Sequence, residues 1–176
     1  FTHIDKPFFE LDGKKVGIIG LGDIGRNFAK KARAFDCEVM YFSTSGKNSN
    51  SEYKQVSLDE LLKTCDIISI HCPLNENTKD LLNYKNMKNI KDGAILLNLG
   101  RGGIINEPDL AKIIDEKEIY CGLDVVSVEP IAEYNPLLKV KNKDRLLLTP
   151  HIGWASIEAR TRLVKMVAEN IKEFQK

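Results

Sequence analysis

Nothing in the 176 residues approaches the roughly 20 consecutive apolar positions that span a bilayer, and no charged stretch followed by an apolar one opens the chain. A membrane anchor and a secretory leader therefore have no support, and the cytoplasm is the expected location. An excess of either charge is missing too: 26 Lys and Arg stand against 25 Asp and Glu, for a net charge of +1. Without a basic face there is little to concentrate a phosphate backbone, which argues against nucleic acid and for a small-molecule partner. Cysteine is sparse. Cys37, Cys65, Cys72 and Cys121 form no C-x-x-C pair, so disulfides and a tetrahedral metal site are both unmotivated, and small reduced core residues are expected. No initiator Met precedes Phe1, which reads as a piece of a longer chain, and residues 1–11 read as an arm or hinge before a domain over 12–176.

What is present is a core-forming composition, 43% hydrophobic over a single-domain length. Lys15–Ile19 is a short apolar run ending in a glycine turn, and residues 25–35 follow as an amphipathic helix. Further strands are predicted over 39–42, 66–71, 94–99, 120–125 and 145–148. The run 94–99 is apolar enough to be buried on both faces of a parallel sheet. Helix starts are marked by Ser57 with Glu60 three residues on, by Asn106 with Pro108 in the first turn, and by Ser156, whose helix runs to about Phe174. Strands alternating with helices predict an α/β fold: a doubly wound parallel sheet with right-handed crossovers, helices on both faces, and a ligand at the strands' C-terminal ends.

The turn reads Gly20-Leu21-Gly22-Asp23-Ile24-Gly25. In this setting Gly20 permits the tight turn, Gly22 lets backbone approach a pyrophosphate, and Gly25 lets helix and strand pack closely. The N–H groups that open the helix at Asp23 and Ile24 then face the diphosphate, favoured by the helix dipole. The acid that would hold the ribose hydroxyls at the end of the second strand is missing, and Ser43 stands there. Asp36 and Glu38 lie near the start of that strand, roughly five residues at about 3.3 Å each from the ribose. Nothing there repels a 2′-phosphate, and Ser43, Thr44, Ser45 and Lys47 offer hydroxyls and a charge to bind one. The same loop also reads as tolerant of either cofactor, so NAD and NADP both stay open.

Three further residues supply the groups that reduction of a 2-keto acid needs. Arg101, within Asn98-Leu99-Gly100-Arg101-Gly102-Gly103, can grip a carboxylate through its planar fork. His151, within Thr149-Pro150-His151-Ile152-Gly153, can give or take a proton at neutral pH. Glu129 is the carboxylate proposed to favour the charged imidazole. Taken singly, Arg101 also fits a surface residue in a glycine loop, and Glu129 a solvated loop acid. Of the other histidines, His3 is expected to be solvated, while His71, with Cys72 and Pro73, is expected to line a cofactor pocket. Thr78, Leu99, Gly100 and Gly153 are placed against the cofactor as well. Asp124 fits either of two tasks, binding the nicotinamide amide or capping the following loop.

These segments, in their order and approximate spacing, resemble the nucleotide-binding domain of the D-isomer-specific 2-hydroxyacid dehydrogenases over nearly the whole chain. The resemblance implies a Rossmann-like fold and a homodimer. It further implies that Arg101 orients the substrate carboxylate, Glu129 supports the imidazole, and His151 exchanges the proton while hydride passes between nicotinamide and C2 of the acid. Hydroxypyruvate, glyoxylate and lactate are the substrates expected on this basis. It also implies a separate substrate-binding domain, absent from these residues, that precedes them and closes over the nicotinamide. Two alternatives remain: a cofactor-sensing corepressor-like module of the same fold, and a Rossmann domain of another dehydrogenase class.

Overall fold

Period-two alternation along the first strand decides how the sheet is covered. The computed structural model describes residues 8–46 and 50–175, so Lys47 and His3 lie outside the described residues. In chain order the elements are β1 (Lys15–Ile19), α1 (Asp23–Ala34), β2 (Glu38–Phe42), β3 (Lys54–Gln55), α2 (Leu58–Thr64), β4 (Ile67–Ile70), α3 (Tyr84–Met87), β5 (Ile95–Asn98), α4 (Glu107–Glu116), β6 (Tyr120–Leu123), β7 (Leu146–Leu148) and α5 (Ile157–Phe174). Val16 and Ile18 of β1 point to one face and pack with Ala29 and Ala32 of α1 and with Val39 and Tyr41 of β2. Ile19 points to the other face and joins a larger core that includes Leu61 and Leu62 of α2, Met87 of α3, Leu96 of β5 and Leu110 of α4. Helices thus cover both faces of an all-parallel sheet, whose strand order is β3-β2-β1-β4-β5-β6-β7.

The three helix starts read from sequence carry side-chain caps. Ser57 accepts from the Glu60 N–H at 3.1 Å, Asn106 from that of Asp109 at 3.1 Å, and Ser156 from that of Ala159 at 3.1 Å. Two elements went unpredicted: β3, two exposed residues on the edge of the sheet, and the single-turn α3. One expectation is corrected. β5 is not buried on both faces, because Ile95 is exposed and Leu97 only half-buried. Tyr120 and Leu147 on the next two strands are exposed as well, and α5 buries none of its residues. Among the described residues, no helix is long and apolar enough to cross a membrane. All four cysteines are buried free thiols.

The register aligns the strand ends. Phe42, Ile19, Ile70, Asn98, Leu123 and Leu148 stand side by side across six neighbouring strands. The residues that follow them, Ser43, Gly20, His71, Leu99, Asp124 and Thr149, therefore leave the sheet along one continuous edge.

Candidate active site at the strand ends

At the β1 end of this edge, Gly20 adopts φ 94°, the left-handed region that glycine enters without strain, and a Cβ there would come within 2.7 Å of the Cys72 nitrogen. Gly25 lies against the Gly20 carbonyl, so α1 starts pressed onto the strand it follows. Gly22 caps α1 without any side-chain hydrogen bond, and a Cβ there would meet nothing within 4 Å. The helix thus presents its first N–H groups, at Asp23 and Ile24, without a side-chain acceptor beside open space. This is the arrangement that receives an anionic diphosphate. The Asp23 carboxylate turns instead to Arg26, at 2.5 Å. Ile24 and Leu99 are exposed.

At the end of β2, Ser43 is buried and its Oγ has no hydrogen-bond partner among the described residues. An orphaned hydroxyl at this place, with the uncapped helix and the open glycine, fits a dinucleotide. No carboxylate occupies positions 43–46. His71, after β4, sets Nε2 at 2.9 Å from the Ser69 hydroxyl and its ring 5.1 Å from that of Phe28; burial pushes its pKa down, which keeps the ring neutral. Cys72 is buried and Pro73 exposed. Thr78 is buried, and its hydroxyl donates to the Pro73 carbonyl at 2.6 Å and accepts from the Asn75 N–H at 2.8 Å. It holds the 73–78 loop in shape and presents no free group to a ligand.

At the other end of the edge, His151 Nδ1 and Glu129 Oε2 are 2.7 Å apart, and Glu129 Oε1 accepts from the Val126 N–H at 3.2 Å. The hydrogen bond from His151 holds the Glu129 carboxyl below its ordinary pKa; burial opposes it, and the Val126 N–H acts in the lowering sense. An ionised carboxylate only accepts, so Nδ1 carries the proton and Nε2 is the imidazole's working atom. His151 itself sits at φ 53°, an uncommon conformation for a non-glycine residue. Asp124 holds it there. Oδ1 accepts from the Thr149 hydroxyl at 2.5 Å and from the Ile152 N–H at 2.9 Å, while Oδ2 accepts from the Gly153 N–H at 2.8 Å. Burial would raise the Asp124 pKa, but these donors outweigh it and hold the group below its ordinary value. A cleft of about 640 Å³ opens beside the pair, with apolar walls from Val126, Ile131, Leu138 and Leu148. That is ample for a small ligand.

Arg101 leaves the same edge three residues after β5. The buried Asn98 braces its turn, donating from Nδ2 to the Arg101 carbonyl at 3.0 Å and accepting from the Gly100 N–H at 3.1 Å. The guanidinium is exposed and, among the described residues, bonds its neighbour's carbonyl alone, from Nη1 to Gly100 at 2.7 Å. Arg101 therefore shares the edge with His151 and Glu129 with no hydrogen bond or ion pair to either. The sequence singled out Arg101, Glu129 and His151 but not the residues that brace their turns: Asn98 and Thr149 look like ordinary strand-end residues until the register brings them together.

A parallel sheet with an uncapped glycine-turn helix at one end of its edge and a braced histidine–carboxylate pair at the other defines a dinucleotide-binding domain of the dehydrogenase type. Residues 2–153 match the sequence profile of the D-isomer-specific 2-hydroxyacid dehydrogenase NAD-binding domain, and the chain belongs to that family. It is 44% identical over 177 residues to a hydroxypyruvate reductase of Blautia hydrogenotrophica, covering 98% of this chain and 53% of the relative. Among solved structures it resembles an acyclic imino acid reductase in complex with NADPH and D-Arg (34% identity, TM-score 0.86, 99% of this chain and 56% of the other). It also resembles the Aquifex aeolicus D-lactate dehydrogenase complexed with NAD and lactic acid (26% identity, TM-score 0.88, 99% and 57%). The chain spans about half the length of the curated relatives it matches.

Proposed function

We propose that the protein containing this chain transfers hydride between a nicotinamide dinucleotide and C2 of a small 2-keto or 2-hydroxy acid of the hydroxypyruvate, glyoxylate or lactate kind. The observation that carries this reading is the bond between His151 Nδ1 and Glu129, made on the same sheet edge as the glycine turn. When bound, the cofactor supplies or accepts the hydride. Proton exchange and orientation of the substrate carboxylate fall to side chains of this chain.

In the reducing direction, His151 gives the Nε2 proton to the carbonyl oxygen as negative charge develops there, and Glu129 stabilises the imidazolium that precedes the transfer. In the reverse direction the neutral Nε2 takes the hydroxyl proton, while Nδ1–H stays on Glu129. Arg101 orients the substrate carboxylate with the donors its one bond to Gly100 leaves unused. Asp124 is a positioning residue in this scheme, since both of its oxygens are occupied in holding the His151 turn; the loop-capping task is the one its hydrogen bonds support. NADH and NADPH both remain compatible with Ser43 at the end of β2. A homodimer in the cytoplasm is the setting proposed, on the family resemblance.

The test is turnover of a keto-acid panel by the protein expressed from its full coding sequence. His151→Ala is expected to lower kcat by about 10²–10⁴-fold with cofactor affinity intact. Unchanged turnover would remove His151 from the chemistry.

A further inference from the structure

Glu107, the first residue of α4, is a buried acid that the chemistry described so far does not use. Its Oε1 accepts from the Ser127 N–H at 2.5 Å, and its Oε2 accepts from the Ser127 hydroxyl at 2.9 Å and from Asn135 Nδ2 at 2.7 Å. No Lys, Arg or His is among these partners. A buried carboxylate is costly to place without such compensation, so three donors converging on it, at the favourable end of a helix dipole, mark it as a tether. Asn135 is itself buried, and its Oδ1 accepts from the Leu137 N–H at 3.0 Å, which fixes the far side of the tether.

What is tethered is the segment that carries Glu129. Ser127 lies two residues before Glu129, and Val126, one residue earlier, donates to Glu129 Oε1. The same segment is pressed from the other side by Gly102, where a Cβ would overlap the Val126 carbonyl. Residues 126–127 are therefore held between the Arg101 turn and the Glu107 carboxylate. The Glu129 and His151 side chains are each 39% exposed, so packing alone gives their 2.7 Å contact little support.

We propose that Glu107 is a positioning residue for the proton-transfer pair: by clamping Ser127 and Asn135 it fixes Glu129 against His151 Nδ1. This rests on the function proposed above. It also makes α4 a common mount for both ends of the substrate, since the segment leading into it bears Arg101.

The test uses the protein from its full coding sequence with Glu107→Ala, Glu107→Gln and Ser127→Ala. The first readout is the His151 Nδ1–H resonance in nitrogen-resolved NMR at low temperature, which reports the bond to Glu129 whether or not any keto acid turns over. The second is a kinetic cycle with Glu129→Ala. Glu107→Ala is expected to broaden or abolish the resonance and lower kcat about tenfold, with cofactor Kd and keto-acid KM within about twofold, and to cost nothing further once Glu129 is Ala. Glu107→Gln keeps an acceptor for the Ser127 N–H but turns an NH2 group toward Asn135, so a partial effect is expected; Ser127→Ala, which removes one of the three donors, should be milder still. If Glu107→Ala does not fold, Glu107→Gln and Ser127→Ala decide. An unchanged resonance in these variants overturns the proposal, as does a kcat loss that simply adds to that of Glu129→Ala. Loss of the resonance in a protein that reduces no keto acid would uphold the positioning role and sink the reaction instead.

Discussion

The two ends of the sheet edge are made of different materials. The glycine turn at β1 is built from backbone and close contacts: Gly20 against Cys72, Gly25 against Gly20, and helix N–H groups left open by Gly22. The His151 end is built from side chains on loops, held by carboxylates at Glu129 and Asp124. The first has its shape from sterics and should be insensitive to protonation. The second has its shape from charge and hydrogen bonds, and should fail gradually and with pH.

Glu129→Gln should give the largest separation of the two ends. An amide can still accept from Nδ1–H but brings no charge to stabilise the imidazolium, so kcat is expected to fall by about 10²-fold while cofactor Kd stays put; a parallel loss of cofactor affinity would mean the ends are not independent. Gly25→Val attacks the other end. Forcing a side chain into the Gly20 carbonyl should cost about 1–3 kcal/mol. A thermal melt should register this as roughly 2–4 °C for each kcal/mol, with weakened cofactor binding. A variant that melts like the parent would show that the turn yields more easily than its contacts imply.

Smaller effects sharpen the contrast. Ser43→Asp restores a carboxylate at the end of β2 and should move the cofactor preference toward NADH by about tenfold, or about 1.4 kcal/mol, measured by competing NADH and NADPH titrations. An unmoved ratio would place the ribose elsewhere. Acid should act on the His151 end alone. Asp124 and Glu129 are both held below their ordinary pKa in the folded chain, so the stability they contribute is present above the usual carboxylate range and is lost as pH falls through their lowered values. For Glu129, which is largely solvent-screened, the effect should stay below about 1 kcal/mol. The Ile152 and Gly153 amide resonances should shift below about pH 4 while those of Gly20 and Gly22 hold still, and Asp124→Asn should remove the shift.

Much of this was legible because the relevant signals are local. A glycine turn between an apolar run and a helix is contained in six residues, and the Ser57, Asn106 and Ser156 caps each span four. The supports were not legible, because they join residues far apart in sequence: Asp124 reaches 29 residues to Gly153, and Glu107 reaches 28 to Asn135. A first-turn Glu such as Glu107 looks like a solvated dipole partner until Ser127 and Asn135 close over it. The nearly continuous apolar run at 94–99 misled for a related reason. Composition gives a strand's appetite for burial on both faces, whereas the open positions at Ile95 and Leu97 depend on what else is packed there.

The flush ending of six strands gives the molecule a straight rail from which independent fittings project. Loops of different length can be mounted on such a rail without shifting their neighbours, so the lining of the site is adjustable one fitting at a time. An inserted residue within a strand is another matter: it would turn every later side chain of that strand to the opposite face, throwing the fitting beyond it out of line.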